Sequence, residues 1–266
     1  MTAEQPHLLV ERDGPIVTLT MNRPQARNAF SAEMLGRMLD AWQMIDEDPE
    51  VRVAILTGAG GHFCAGADLK TMFSNDSSDE WGQRFSTDAD LAWKALLRHY
   101  RLTKPLIAAV EGYAIAGGTE ILQATDIRIA GESATFGIAE VTRGLFPLGG
   151  STVRLRRQIP YAKAMDVLLT GRFVPAREAE EMGLISRVVP DGEALDEARA
   201  VAEVVAQNAP LSVQAVKRSV QETDGLTEAE ALKVELEIGF PIFTTEDSRE
   251  GTKAFAEKRK PDYKGR

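Results

Sequence analysis

The chain has 266 residues, 44% of them hydrophobic and 27% charged, the proportions of an ordinary globular protein with room for one large core. Its 31 basic and 40 acidic residues give a formal charge of −9, which argues against nucleic acid as the principal partner, although a local basic cluster could still hold an anionic ester. The single cysteine, Cys64, allows no internal disulfide, no apolar run approaches the roughly 20 residues that span a bilayer, and the opening residues Met1 to Pro6 lack a basic then apolar leader pattern, so a cytoplasmic protein engaging no membrane is expected.

Leu8–Val10 and Ile16–Met21 flank the turn Asp13-Gly14-Pro15 and read as a hairpin, ended by Asn22-Arg23-Pro24 because proline cannot continue a ladder. Ser31 caps a helix whose apolar residues Met34, Leu35, Met38, Leu39, Trp42 and Ile45 fall on one stripe. Val51–Thr57 reads as a buried strand. Residues 73–90 are polar and without regular period, and a mobile insertion is expected there, before a helix over Asp88–Tyr100. Leu106–Val110, Ile127–Ala130 and Thr135–Ile138 supply further strands, and the order of elements suggests repeated ββα turns of a spiral. From Gly149 the pattern turns helical: Thr152–Ile159, Tyr161–Thr170, Ala176–Met182, then, after a last strand-like Val188-Val189, Ala194–Gln207, Leu211–Thr223, Glu228–Ile238 and Glu246–Lys258. Thr227 with Glu230 forms a capping box. An α/β body over 1–200 followed by an all-helical region over 201–266 is the expected division.

Two short stretches carry the chemistry. Phe63-Cys64-Ala65-Gly66-Ala67-Asp68-Leu69 follows the strand ending near Thr57, and Gly112-Tyr113-Ala114-Ile115-Ala116-Gly117-Gly118-Thr119-Glu120 follows Leu106–Val110. Each is a small-residue turn that opens a helix, where the first N–H groups have no intrahelical acceptor. Facing one another, two such turns would present converging donors suited to an oxyanion. Glu120 lies three residues into the second helix, on the side of its exposed N–H groups, and Glu140 follows the strand Thr135–Ile138. Taken alone, each acid has a plainer reading: Glu120 as a first-turn dipole partner, Glu140 as a solvated ion pair with Arg143. Asp68 reads as a helix cap and Cys64 as a packed small residue. The three histidines, His7, His62 and His99, are scattered, and the sequence shows no Gly-x-Ser-x-Gly elbow, no paired cysteine ligands and no P-loop, so hydrolase and metal readings lack support.

The joint setting of Ala116-Gly117-Gly118-Thr119-Glu120, Asp126–Ala130, Ala134–Glu140 and Gly144–Gly150 resembles, without a gap, the crotonase (enoyl-CoA hydratase/isomerase) superfamily. That resemblance implies a spiral of ββα units with a C-terminal helical oligomerisation region, assembled as a homotrimer or a dimer of trimers. It implies that Glu120 and Glu140 hold a water between them, one acting as base and the other as acid, and that the backbone N–H groups of Ala67 and Gly117 hold an enolate oxygen. It also implies contacts to the CoA ester from Arg27, from the turn that includes Ala65, Ala67, Asp68, Leu69 and Lys70, and from Phe255 and Lys258 reaching a neighbouring subunit's ligand. By charge pattern alone the last two read as an exposed basic helix end. Many members carry a basic residue where this chain has Gly61.

With both acids present the resemblance favours hydration of a trans-2-enoyl-CoA without metal or organic cofactor, CoA being part of the substrate. An isomerase or other crotonase-type reaction, and a CoA-ester binder without turnover, stay as alternatives. The segments Arg101–Gly112, Ala114–Gln123 and Gln158–Tyr161 are most similar to actinobacterial hydratases of steroid side-chain degradation. Met72, Phe73, Trp81, Phe85, Leu91 and Trp93 either line a wide acyl pocket or pack a helix on the core.

Overall fold

In the computed structural model, which describes residues 5–68 and 80–266, a six-stranded sheet forms the frame. Its strands are β1 (Leu8–Asp13), β2 (Ile16–Met21), β3 (Val53–Gly58), β4 (Leu106–Val110), β6 (Ile127–Gly131) and β9 (Arg187–Val189), in the order β1-β2-β3-β4-β6-β9. Only the β1–β2 hairpin is antiparallel; every later pair is parallel, as crossovers through helices require. A second sheet joins β5 (Tyr113–Ile115), β7 (Thr135–Gly137) and β8 (Phe173–Pro175). Strand, return strand and helix thus recur along the chain, as the expected ββα spiral requires.

The helices are α1 (Ala32–Glu47), α2 (Glu80–Thr87), α3 (Leu91–Ala95), α4 (Gly117–Leu122), α5 (Ser151–Gln158), α6 (Tyr161–Thr170), α7 (Ala176–Glu181), α8 (Ala194–Gln207), α9 (Pro210–Thr223), α10 (Glu228–Gly239) and α11 (Glu246–Glu257). Alternation along the buried strands divides the core in two. One face of the sheet presents Leu19, Ala54, Leu56, Ala108 and Val110 to the α1 stripe of Met34, Met38, Trp42 and Ile45. The opposite face presents Ile16, Val53, Ile55, Ile107 and Ile129 to Ala194, Ala198, Ala202 and Ala206 of α8. Alanine every fourth residue lets that helix lie close against the sheet. The expected division at residue 200 therefore falls inside α8, which packs with the body.

Several elements differ from the sequence reading. The polar stretch before Asp88 is not irregular throughout: α2 docks Trp81 over Gly36, where a Cβ would lie 2.6 Å from the ring, and Arg84 holds Asp40 through two bonds at 2.6 and 2.8 Å. The expected helix Asp88–Tyr100 is only α3, because the Asp88 carboxylate accepts Asp90 N at its start and Leu97 turns the chain at φ 54° beyond its end. Leu91 is buried, Phe85 and Trp93 pack against the core, and Trp81 lies between the guanidinium groups of Arg37 and Arg84. These four side chains pack the element; Met72 and Phe73 lie outside the described residues. The strands β5 and β8 were not legible, each being three residues long, β8 with a proline at its end. Ser31 accepts Met34 N, and Thr227 with Glu230 forms the capping box, both as the sequence predicts.

Candidate active site

The two small-residue turns meet. Cys64 pairs with Ala114 as an isolated parallel bridge, its N–H donating to Tyr113 O at 2.8 Å and its carbonyl accepting Ile115 N at 2.9 Å. Phe30 pairs with Ala67 in the same way, through Phe30 N to Gly66 O and Asp68 N to Phe30 O. In a parallel bridge of this kind, Phe30 turns both its groups toward the partner and Ala67 turns its own N–H away. Gly66, at φ +88°, lets the turns approach: a Cβ there would lie 2.9 Å from Ala116 Cβ and 3.0 Å from Gly117 N. Gly118 is tighter still, with a Cβ only 2.2 Å from Cys64 O.

Ala116 precedes α4 at φ 52° and ψ −124°, a conformation costing a residue with a side chain roughly 1–3 kcal/mol. It is held by Ala116 N donating to Gly137 O at 2.7 Å and by the Thr119 hydroxyl, which donates to Gly137 O and accepts Gly137 N. The bend places Gly117 N at the first helical position, where no carbonyl of α4 can reach it. The turn that carries Ala67 and the turn that carries Gly117 thus lie against each other through Gly66.

Glu120 points inward from the first turn of α4 and is 5% exposed. Its Oε1 accepts Ser151 N at 3.3 Å, so the carboxylate sits at the N-terminus of α5, and Oε2 occupies the space beside Gly149, where a Cβ would lie 2.5 Å away. Burial raises its pKa, opposed by the Ser151 and Gly149 amides, the Ser151 hydroxyl and the Arg154 guanidinium. The Ser151 hydroxyl accepts Gln123 Nε2 at 2.9 Å. Glu140 opens a 3₁₀ turn, Glu140–Arg143, and its Oε2 is shielded from solvent without a hydrogen-bond partner among the described residues. Burial, with the Glu120 carboxylate adding to it, pushes the Glu140 carboxyl up to about 7. Two acids therefore share a site in which one is offered the amides of Ser151 and Gly149 and the other only its own backbone N–H.

Asp68 forms an ion pair with Arg23 at 3.1 Å, and the helix it was expected to cap begins outside the described residues, as do Leu69 and Lys70. Arg27 is exposed at φ 49°, its guanidinium 5.3 Å over the Tyr113 ring, which stacks on His62 at 5.0 Å, and its carbonyl accepts Ala65 N. Phe255 is 88% exposed at the end of α11 and Lys258 follows that helix at φ 54°; among the described residues no hydrogen bond or ion pair joins either to the two acids. Burial pushes the Cys64 thiol up to about 12, as suits a packed, unreactive side chain. Among the described residues no cluster of three metal-ligating side chains occurs, and no helix is long and apolar enough to cross a membrane. Sequence reasoning missed Gly149, Ser151 and Arg154; the run Gly149-Gly150-Ser151 after Pro147 was a helix-start signal that could have found them.

Residues 11–266 match the family model for enoyl-CoA hydratase/isomerase. The chain is 55% identical to enoyl-CoA hydratase EchA19 of Mycobacterium tuberculosis over 98% of this chain and 97% of that protein. It is 35% identical to 2,3-dehydroadipyl-CoA hydratase of Escherichia coli, over 97% of this chain and 99% of the relative. A solved enoyl-CoA hydratase of Mycobacterium tuberculosis superposes with a TM-score of 0.89 at 42% identity, covering 98% of this chain and all of the other. The chain belongs to the enoyl-CoA hydratase/isomerase family.

Proposed function

We propose that this member of the enoyl-CoA hydratase/isomerase family adds water across the C2=C3 bond of a trans-2-enoyl-CoA to give a 3-hydroxyacyl-CoA. The observation that carries the reading is the pair Glu120 and Glu140, held in one buried site where burial raises both, with more amide donors offered to Glu120 than to Glu140. Glu120, favoured as carboxylate by the Ser151 and Gly149 amides, takes a proton from water as oxygen adds to C3. The electrons move to the thioester oxygen, held by Ala67 N and Gly117 N. Glu140, protonated below about pH 7, delivers its proton to C2. Turnover ends with Glu120 protonated and Glu140 ionised, and exchange with water resets the pair. The reaction needs neither metal nor organic cofactor.

Arg27 contacts the CoA ester in this reading, together with Ala65, Ala67 and Asp68 of the first turn; the bond from Ala65 N to Arg27 O, which ties Arg27 to that turn, supports it. Leu69 and Lys70 join them on the family resemblance. The exposed Val216, Val220, Leu232, Leu236, Phe240 and Phe243 of the C-terminal helices form the contact between subunits in a homotrimer or dimer of trimers, from which Phe255 and Lys258 reach a neighbour's ligand. The segment linking Glu140 to Ser151 exposes Leu145, Phe146 and Leu148, apolar surface that suits a long or bulky acyl group such as a steroid side chain. Loss of the conjugated thioester absorbance on adding a trans-2-enoyl-CoA tests hydration, and unchanged absorbance overturns it. Comparing kcat/KM for crotonyl-CoA, a long-chain enoyl-CoA and a steroid-side-chain enoyl-CoA tests the acyl preference; a roughly tenfold advantage for crotonyl-CoA overturns that part alone.

A further inference from the structure

The turn that receives the Glu120 carboxylate contains two glycines, and a guanidinium lies against the second. Where Gly149 leaves room for Glu120, Gly150, at φ +124°, leaves room for Arg154, whose Cζ, Nε and Nη1 would each lie 3.4 Å from a Cβ there. Arg154 Nη2 donates to Leu97 O at 2.5 Å, and Leu97 is itself held at φ 54°. Nη1 is shielded from solvent and has no hydrogen-bond partner among the described residues. A cation placed in this way, anchored on one nitrogen and unpaired on another, is costly unless it answers a nearby negative charge.

We propose that Arg154 is a positioning residue for the reaction, a fixed cation that keeps Glu120 ionised and aimed while Glu140 holds the proton. The inference rests on the hydratase reading with Glu120 as base. The charged groups that bear on Glu120 are Glu140 from the 3₁₀ turn and Arg154 from α5; Arg143 bears on Glu140, and Arg98 bears on Arg154. Among the described residues only Arg154 adds positive charge on the Glu120 side, and its field lowers a pKa that burial raises. Leu97 closes the turn after α3, so the anchor also ties that turn to α5.

The sign follows directly. A base must be ionised, so activity falls as pH drops through the Glu120 pKa, and removing a cation raises that pKa and moves the acid limb to higher pH. Arg154→Gln keeps an N–H donor for Leu97 O and loses the charge, Arg154→Met loses both, and Arg154→Lys restores the charge. The acid limb of kcat is expected to rise by about one pH unit in the Gln and Met variants and to return toward wild type in the Lys variant. KM should change less than kcat. Carboxyl carbon-13 NMR, with Glu120→Gln to assign the signal, reads the same shift without turnover. If wild type hydrates enoyl-CoA but neither the limb nor the Glu120 resonance moves in a folded Arg154→Gln protein, Arg154 only supports the fold and the inference is wrong. A wild type that does not hydrate but whose Glu120 resonance moves separates failure of the functional reading from failure of this electrostatic one.

Discussion

Gly66→Ala tests whether the two turns act together as an anion-binding pair. The added methyl would start 2.9 Å from Ala116 Cβ and 3.0 Å from both Gly117 N and Ile115 O, closer than those atoms can remain. Holding alanine at φ +88° costs about 1–2 kcal/mol, and the overpacking a further 1–3 kcal/mol. A loss of about 2–5 kcal/mol lies within the stability of an ordinary domain, so the variant should fold with a Tm lower by about 4–15 °C. Function should suffer more. Oxyanion donors act at about 2.7–3.1 Å from the charge, and moving Gly117 N away from Ala67 N by a few tenths of an ångström or more takes one of them out of reach. The expected fall in kcat is about 10²–10³, close to 3–4 kcal/mol of transition-state stabilisation, with KM changed far less. Steady-state hydration of an enoyl-CoA beside thermal melting separates the two effects. A folded variant turning over within about threefold of wild type would show that the enolate oxygen is held elsewhere. Gly117→Pro, which also removes the amide, is the poorer probe, because residues before proline avoid the φ 52°, ψ −124° that Ala116 adopts.

Glu140→Gln and Glu120→Gln should each lower kcat by about 10²–10⁴ with circular dichroism unchanged, and a variant retaining wild-type turnover would return that residue to a structural role. In wild type, kcat/KM should fall as pH rises through about 7, where Glu140 loses the proton it must deliver; a flat profile through pH 8 contradicts the acid assignment. The same group affects stability. A carboxyl with a raised folded-state pKa favours folding below its unfolded value near 4.5, and that contribution is lost as pH climbs to about 7. The Tm of Glu140→Gln relative to wild type should therefore rise across that window and level off above it. Gly149→Ala would set a Cβ 2.5 Å from Glu120 Oε2 and should cost at least about tenfold in kcat with little effect on melting, since Gly149 has no left-handed backbone to lose.

Much of the fold was legible because its signals are local. The α1 stripe, the Ser31 cap, the Thr227–Glu230 box and the apolar run Leu106–Val110 each state their own conformation. What escaped depends on partners distant in sequence. The β5 strand exists because Cys64 and Phe136 flank Ala114, and α2 is placed by a Trp81 that needs Gly36 beneath it. The site followed the same rule. Gly117 and Glu120 announced themselves through a glycine-rich helix start, and Ala67 through its counterpart. The run Gly149-Gly150-Ser151 marks a helix start, but that its N-terminus receives a carboxylate from α4 became visible only when the turn from Glu140 folded back.

The most direct test of hydration through the Glu120 and Glu140 pair follows isotopes from solvent into product. Wild-type protein is incubated with a trans-2-enoyl-CoA in deuterium oxide enriched in the heavy oxygen isotope, and the product is examined by mass spectrometry and proton NMR. Hydration predicts one heavy oxygen at C3 and one deuterium at C2 in the initial product, with both signals falling together in Glu140→Gln and Glu120→Gln. Deuterium without heavy oxygen would indicate double-bond migration rather than water addition. Product labelled at wild-type rates in either variant would contradict the two-carboxylate mechanism.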